Sequence, residues 1–394
     1  MKHYNFDEII DRSGSDSFKY DFREVMFGNT DVLPMWVADM DFRTPDFVLL
    51  ALEQRLKHPV LGYSLKSESY YRAIINWLDR RHNWKIKREW ISFSPGVVPA
   101  LTMSVMAFSN PGDKIIVQTP VYFPFFTCIA GPGREVIYNP LKLEQDRYVM
   151  DLDHLRSQID ARTRMLFLCH PHNPGGMVWS REELLALAEI CLEHRLIIVS
   201  DEIHSDLVFR PNRHIPLASL SEIIASQVVT CMAPSKTFNL AGLSTAFVVS
   251  GNPNLLRKYN QVLDYLHLQI GNIFGNVALE AAYSQGEEWL EQLLNYVQGN
   301  IRYAVDYMRR HIPPIKPMVP QATYMLWLDC RDLGLKQAEL RQFMIHKARL
   351  GLNDGAMFGI GGEGFMRMNL ACPRSVVKEA MQRLRAAVDE LFHS

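Results

Sequence analysis

Asn173, Asp201 and Lys236 each stand just beyond a short apolar run: Met165–Cys169, Leu196–Val199 and Val228–Met232 respectively. The gaps of 28 and 35 residues between them each suit one strand–helix–strand unit. In open α/β sheets ligands bind at the carboxyl ends of the strands, so the three side chains are expected to converge there. Taken singly they are ordinary: a turn amide before Pro174, an acid capping a helix, an ammonium in solvent. Taken together they supply what pyridoxal 5′-phosphate (PLP) requires. That group needs an amine for its aldehyde, a carboxylate to keep its pyridine nitrogen protonated, and a donor for its ring oxygen.

The elements that must position these residues follow from the same alternation. Trp90–Phe93 leads through Ser94-Pro95-Gly96 into an apolar helix from Val97 to Phe108, closed by Asn110-Pro111-Gly112; Lys114–Gln118 is the next strand. Ser180 with Glu183 three residues on forms a capping box, and the helix it opens ends near His194. Short apolar strands separated by amphipathic runs predict an α/β protein with a mostly parallel sheet. After residue 288 the pattern changes to a long helix from Trp289 to about Arg310, the linker His311–Pro314, a strand Tyr324–Leu328, a helix and a strand Phe365–Asn369. The expected division is a large domain over 46–288 and a smaller α/β domain built from 289–394 together with residues 1–45.

Composition narrows the classes. At about 150 residues per domain, 394 residues suit two or three domains, and 48% apolar with 22% charged residues excludes a disordered or low-complexity chain. The formal charge of −1, without a clustered basic face, argues against a nucleic-acid partner. The six cysteines include no CxxC pair, which argues against zinc and a disulfide framework and for reduced buried thiols. The N-terminus has no apolar leader, and no apolar stretch approaches the roughly 20 residues that span a bilayer, so no membrane association and a cytoplasmic location are expected.

Five segments carry a resemblance to a known family: Trp36–Phe42, His172–Gly176, Ser200–His204, Ser235–Leu243 and Arg367–Arg374. Over nearly its whole length the chain resembles the fold-type I PLP enzymes of the aspartate aminotransferase superfamily, class I/II, and more narrowly the MalY/PatB type of cystathionine β-lyase. By position, the resemblance implies that Lys236 forms the Schiff base, Asp201 pairs with the pyridine nitrogen, and Asn173 and His204 face the ring oxygen. It implies that Tyr122 stacks on the ring. Gly96, Val97 and Val98, whose N–H groups open a helix, and Ser235 would hold the phosphate. Tyr63 would reach the phosphate from a second subunit, making the protein a homodimer. Arg367 would grip the α-carboxylate of an amino-acid substrate as a planar fork, and Ala38 would lie over it through its backbone, with Asp39 left unassigned.

Two departures bear on the reaction. Aminotransferases usually carry Tyr three residues after the ring-pairing Asp, where this chain has His204. They commonly place Arg eight residues after the Schiff-base Lys, where this chain has Ser244. Both favour C–S β-elimination from cystathionine or S-substituted cysteines over transamination, the alternative within enzymes. The rival from another class is a regulatory protein that keeps the scaffold and acts through a partner.

Overall fold

A strand buried on both faces is dominated by apolar residues, and its successive side chains enter two different cores. The computed structural model, which describes residues 2–393, shows this in a seven-stranded sheet. Its strands are β1 (Ile91–Ser94), β2 (Lys114–Val117), β3 (Glu135–Tyr138), β4 (Thr163–Cys169), β5 (Ile197–Asp201), β6 (Val228–Met232) and β7 (Ala246–Val249), in the order β1-β7-β6-β5-β4-β2-β3. Neighbours are parallel except β7, which runs antiparallel to β1 and β6. Met165, Phe167, Val199, Val229 and Cys231 enter one core, whereas Leu166, Leu168, Ile198, Val228 and Met232 enter the other.

Four helices matter for the site: α1 (Glu68–His82), α2 (Val97–Phe108), α3 (Arg181–Glu193) and α4 (Glu287–His311). The predicted capping box opens α3, with Ser180 accepting from the Glu183 N–H and Glu183 accepting from the Ser180 N–H. By contrast, α2 starts after Gly96 with no side-chain cap. Helix α4 buries Trp289, Leu290, Leu293, Leu294, Val297, Ile301, Val305 and Met308 along one stripe. Its acidic first turn and basic last turn both suit the helix dipole.

Beyond α4 lies a four-stranded antiparallel sheet, ordered β8-β9-β11-β10, of β8 (Lys316–Met318), β9 (Met325–Asp329), β10 (Asn353–Asp354) and β11 (Phe365–Asn369). The N-terminal segment joins this part of the chain: Leu33 and Pro34 pair in parallel with Leu350 and Gly351. Strand β7, which the sequence reading did not name, is a four-residue apolar run between β1 and β6. All six cysteines are buried and unpaired. Among the described residues no helix is long and apolar enough to cross a membrane, and no group of ligating side chains could hold a metal.

Candidate active site

The carboxyl ends of β1, β2, β4, β5 and β6 open on one cavity of about 170 Å3. Its wall brings together Ala38, Gly96, Val97, Val98, Tyr122, Asn173, Asp201, His204, Ser235 and Lys236, ten of the twelve residues singled out in the sequence. The turn after β4 is shaped by close packing. Gly176 has φ +70°, and a Cβ there would overlap Pro320 at 2.4 Å. Its carbonyl accepts from the N–H groups of Gln321 and Ala322, which ties the HNPGG turn to the segment leading into β9.

Burial sets the electrostatics of the cavity. Asp201, at the end of β5, accepts from the Ile203 N–H at 3.1 Å. Burial raises its pKa to about 7, against the opposing pull of that hydrogen bond and of Lys236. A cationic partner would restore its charge. Lys236 lies in the single turn Pro234–Thr237 after β6 and donates to the Ala38 carbonyl at 2.7 Å. Burial lowers its pKa to about 8, so a useful fraction is free amine near neutral pH. His204 is held neutral, its pKa lowered to about 3 by burial and then by the nearby cations Lys236 and Arg367, and its buried Nδ1 has no partner.

Arg367, on β11, comes from the second sheet and is 2% exposed. It donates to Asn173 Oδ1 at 3.0 Å, to the Trp36 carbonyl at 3.0 Å and to Asn353 Oδ1. Its guanidinium lies 5.0 Å from the centre of the Phe358 ring, its Nε has no partner, and no carboxylate among the described residues pairs with it. A buried cation with only neutral neighbours is unsatisfied until an anion arrives.

The segment over the cavity is fixed from several sides. Asn369 Nδ2 donates to the carbonyls of Val37 and Asp39, Asn239 exchanges hydrogen bonds with the backbone of Met40, and the Tyr324 hydroxyl donates to the Ala38 carbonyl at 3.1 Å. Asp39 turns away from the cavity: Arg12 bridges Asp39 and Asp41 at 2.7 Å each, and Lys19 pairs with Asp41 at 2.7 Å. Sequence reasoning quoted Asn239 and Asn369 inside motifs without a role and missed Tyr324, which precedes a strand without any local signal.

At the opposite end, the uncapped first turn of α2 faces the cavity beside Ser235, Ser244 and Thr245. Free N–H groups at a helix N-terminus with flanking hydroxyls suit a phosphate. Together with the acid, the amine and the unpartnered imidazole, this donor set fits PLP. Tyr63 does not join it within one chain: it is 96% exposed, in a row with exposed Val60, Leu61 and Leu65.

A mostly parallel sheet whose carboxyl edge carries the Asn, Asp and Lys, with an arginine supplied by a second sheet, is the aminotransferase-like architecture that the resemblance implied. The chain belongs to the family of class I and II aminotransferases, whose model matches residues 30–384. It is 44% identical over 385 residues to cystathionine beta-lyase PatB of Bacillus subtilis (strain 168), covering 98% of this chain and 100% of that protein. It is similar to the PLP-bound C-S lyase from Staphylococcus hominis, with 33% identity, a TM-score of 0.92 and 98% of each chain covered. It is also similar to a PLP-bound structure from Clostridium difficile 630 named as a candidate aminotransferase, with 43% identity, a TM-score of 0.96, and 98% and 100% of the two chains covered.

Proposed function

We propose that this chain is a PLP-dependent carbon–sulfur β-lyase that converts cystathionine or other S-substituted L-cysteines to a thiol, pyruvate and ammonia. The carrying observation is one cavity that holds an amine, a buried acid and an unpartnered imidazole, with a buried guanidinium that lacks an anion hydrogen-bonded to Asn173 in its wall. When bound, PLP supplies an aldehyde for the substrate amine and a pyridinium that withdraws electrons from Cα. Gly96, Val97, Val98 and Ser235 would hold its phosphate, Tyr122 would stack on its ring, Asn173 and His204 would serve its oxygen, and Asp201 would keep its nitrogen protonated. Arg367 binds the substrate α-carboxylate under the Ala38 backbone. Lys236 removes the Cα proton at Nζ, and the thiolate then leaves from Cβ. The 2-aminoacrylate released takes up water and yields pyruvate and ammonia.

The named aminotransferase relative keeps transamination as the second reading, and His204 and the uncharged Ser244 weigh against it. Mixing the protein with cystathionine should give pyruvate and free thiol in equal amounts without any 2-oxo acid. Turnover of alanine or aspartate only when 2-oxoglutarate is present, with no thiol from cystathionine, would replace the lyase reading.

Arg367→Ala is expected to raise KM for the amino acid about 100-fold, since charge-assisted hydrogen bonds contribute about 1.5–3 kcal/mol each. Steady-state kinetics with an unchanged KM would make Arg367 a structural residue.

The homodimer is part of the proposal. The exposed apolar row Val60, Leu61, Tyr63 and Leu65 calls for cover, and Tyr63 is without a role in one chain. Sedimentation of an active monomer would remove it. The division into 46–288 and 289–394 with 1–45 is supported by the separate sheets and by the Leu33–Leu350 pairing. The cytoplasmic placement rests on six unpaired buried thiols, which suit a reducing compartment.

A further inference from the structure

Behind the carboxyl edge lies a second layer of buried ionisable groups that the reaction above does not use. Glu202 accepts from the Ser200 hydroxyl at 2.8 Å and the Leu217 N–H at 3.1 Å, and lies 2.7 Å from His214 Nε2. Asp206 is the more telling member. Its Oδ1 accepts from the Trp77 indole N–H at 3.0 Å and lies 3.0 Å from His82 Nε2, while its Oδ2 accepts from the Thr237 hydroxyl at 2.8 Å. Trp77 and His82 belong to α1, a helix of 15 residues, whereas Thr237 belongs to the four-residue turn that carries Lys236. Asp206 is 3% exposed, Trp77 1% and Thr237 0%.

A carboxylate so buried is expensive unless each oxygen is satisfied, and here three donors from two elements meet it. The turn itself is short. Its backbone is closed by the Phe238 N–H to the Pro234 carbonyl at 2.8 Å and the Leu240 N–H to the Ser235 carbonyl at 3.0 Å. A single helical turn has little stability of its own, so what fixes it must come from outside. The Thr237–Asp206 bond joins the turn to α1, and Lys236 is the next residue. If Thr237 rotates or shifts, the amine leaves its place 2.7 Å from the Ala38 carbonyl.

We propose that Asp206 is a positioning residue for Lys236, acting through the Thr237 hydroxyl, with Trp77 and His82 orienting its carboxylate. The proposal rests on Lys236 being the reactive amine. Misplacing a reacting group by about 1 Å can cost about 100-fold, so a loosened turn should slow chemistry while leaving Arg367 and substrate binding in place.

The test uses Thr237→Val, which removes the donor at nearly constant shape, Thr237→Ser, which keeps it, Asp206→Asn, and the Asp206→Asn/Thr237→Val double variant. Two quantities are measured: the rate at which PLP added to the apoprotein gives a borohydride-reducible adduct mapped to Lys236, and kcat with KM. Thr237→Val is expected to lower both rates at least about tenfold with KM within about twofold, and Thr237→Ser to restore them. The double variant should be no slower than the slower single variant, because both break one contact. The proposal is overturned if Thr237→Val forms the adduct at the wild-type rate, if Val and Ser are equally slow, or if the two effects multiply. Should Asp206→Asn fail to fold, the Thr237 pair still decides. A wild-type chain that forms the adduct at Lys236 but releases no pyruvate sinks the lyase reading alone, and the adduct rates then judge the role of Asp206.

Discussion

Lys236→Ala is expected to lower kcat by at least about 1000-fold and to abolish the borohydride-reducible adduct, because one amine both holds the cofactor and moves the Cα proton. Persistence of the adduct in that variant would remove Lys236 from the reaction. The same substitution should change how stability depends on pH in the apoprotein. The folded-state pKa of about 8 lies below the ordinary lysine value of 10.5, so between these values the unfolded chain binds more protons than the folded one. Stability due to Lys236 therefore rises with pH across that window, by about 3 kcal/mol, and the rise should be missing from Lys236→Ala. Denaturant titrations of both apoproteins at pH 7 and pH 10.5 measure the difference.

Asp201→Asn should separate function from stability in sign. Without the carboxylate the pyridine nitrogen loses its proton and the ring withdraws electrons poorly, so kcat should fall by at least about 100-fold, equivalent to about 2.7 kcal/mol, with PLP content little changed. The apoprotein should move the other way. Burial places the folded-state pKa at about 7, above the ordinary aspartate value of 3.8, so the folded chain binds more protons within that window and loses stability as pH rises through it. At pH 8 the full cost is present, about 4 kcal/mol, and an uncharged amide of the same shape relieves it. Near-normal turnover, or an apoprotein less stable than wild type at pH 8, would show that Asp201 has a structural role instead.

The catalytic edge was readable in the sequence because its constraints are local. A strand buried on both faces is mostly apolar, so the polar residues at its carboxyl end or shortly beyond mark the sheet edge, which is how Asn173, Asp201 and Lys236 stood out. The boundaries moved by a residue or two where a 3-10 turn, Arg88–Trp90, takes the place of the first strand residue. Other parts depend on chain closure over long separations, which no periodicity records. Arg12 and Lys19 meet Asp39 and Asp41 from 22 to 29 residues away. Tyr324 reaches the Ala38 carbonyl across 286 residues. Asp206 lies two residues beyond the Ser200–His204 run and carried no signal of its own, since its partners Trp77 and His82 lie more than 120 residues earlier.

The six buried cysteines acquire a meaning from the proposed chemistry. An enzyme that discharges thiols into its own cavity lives among nucleophiles that exchange with any disulfide and, once oxidised, cap any reactive thiolate. This chain offers them neither target. It has no disulfide to open, and even Cys169, which borders the cavity, is kept as the inert protonated thiol: burial and then the neighbouring Asp201 raise its pKa, although the Asn173 N–H bond works against them. Its catalyst should therefore age slowly in its own products, keeping activity over many turnovers without an added reductant.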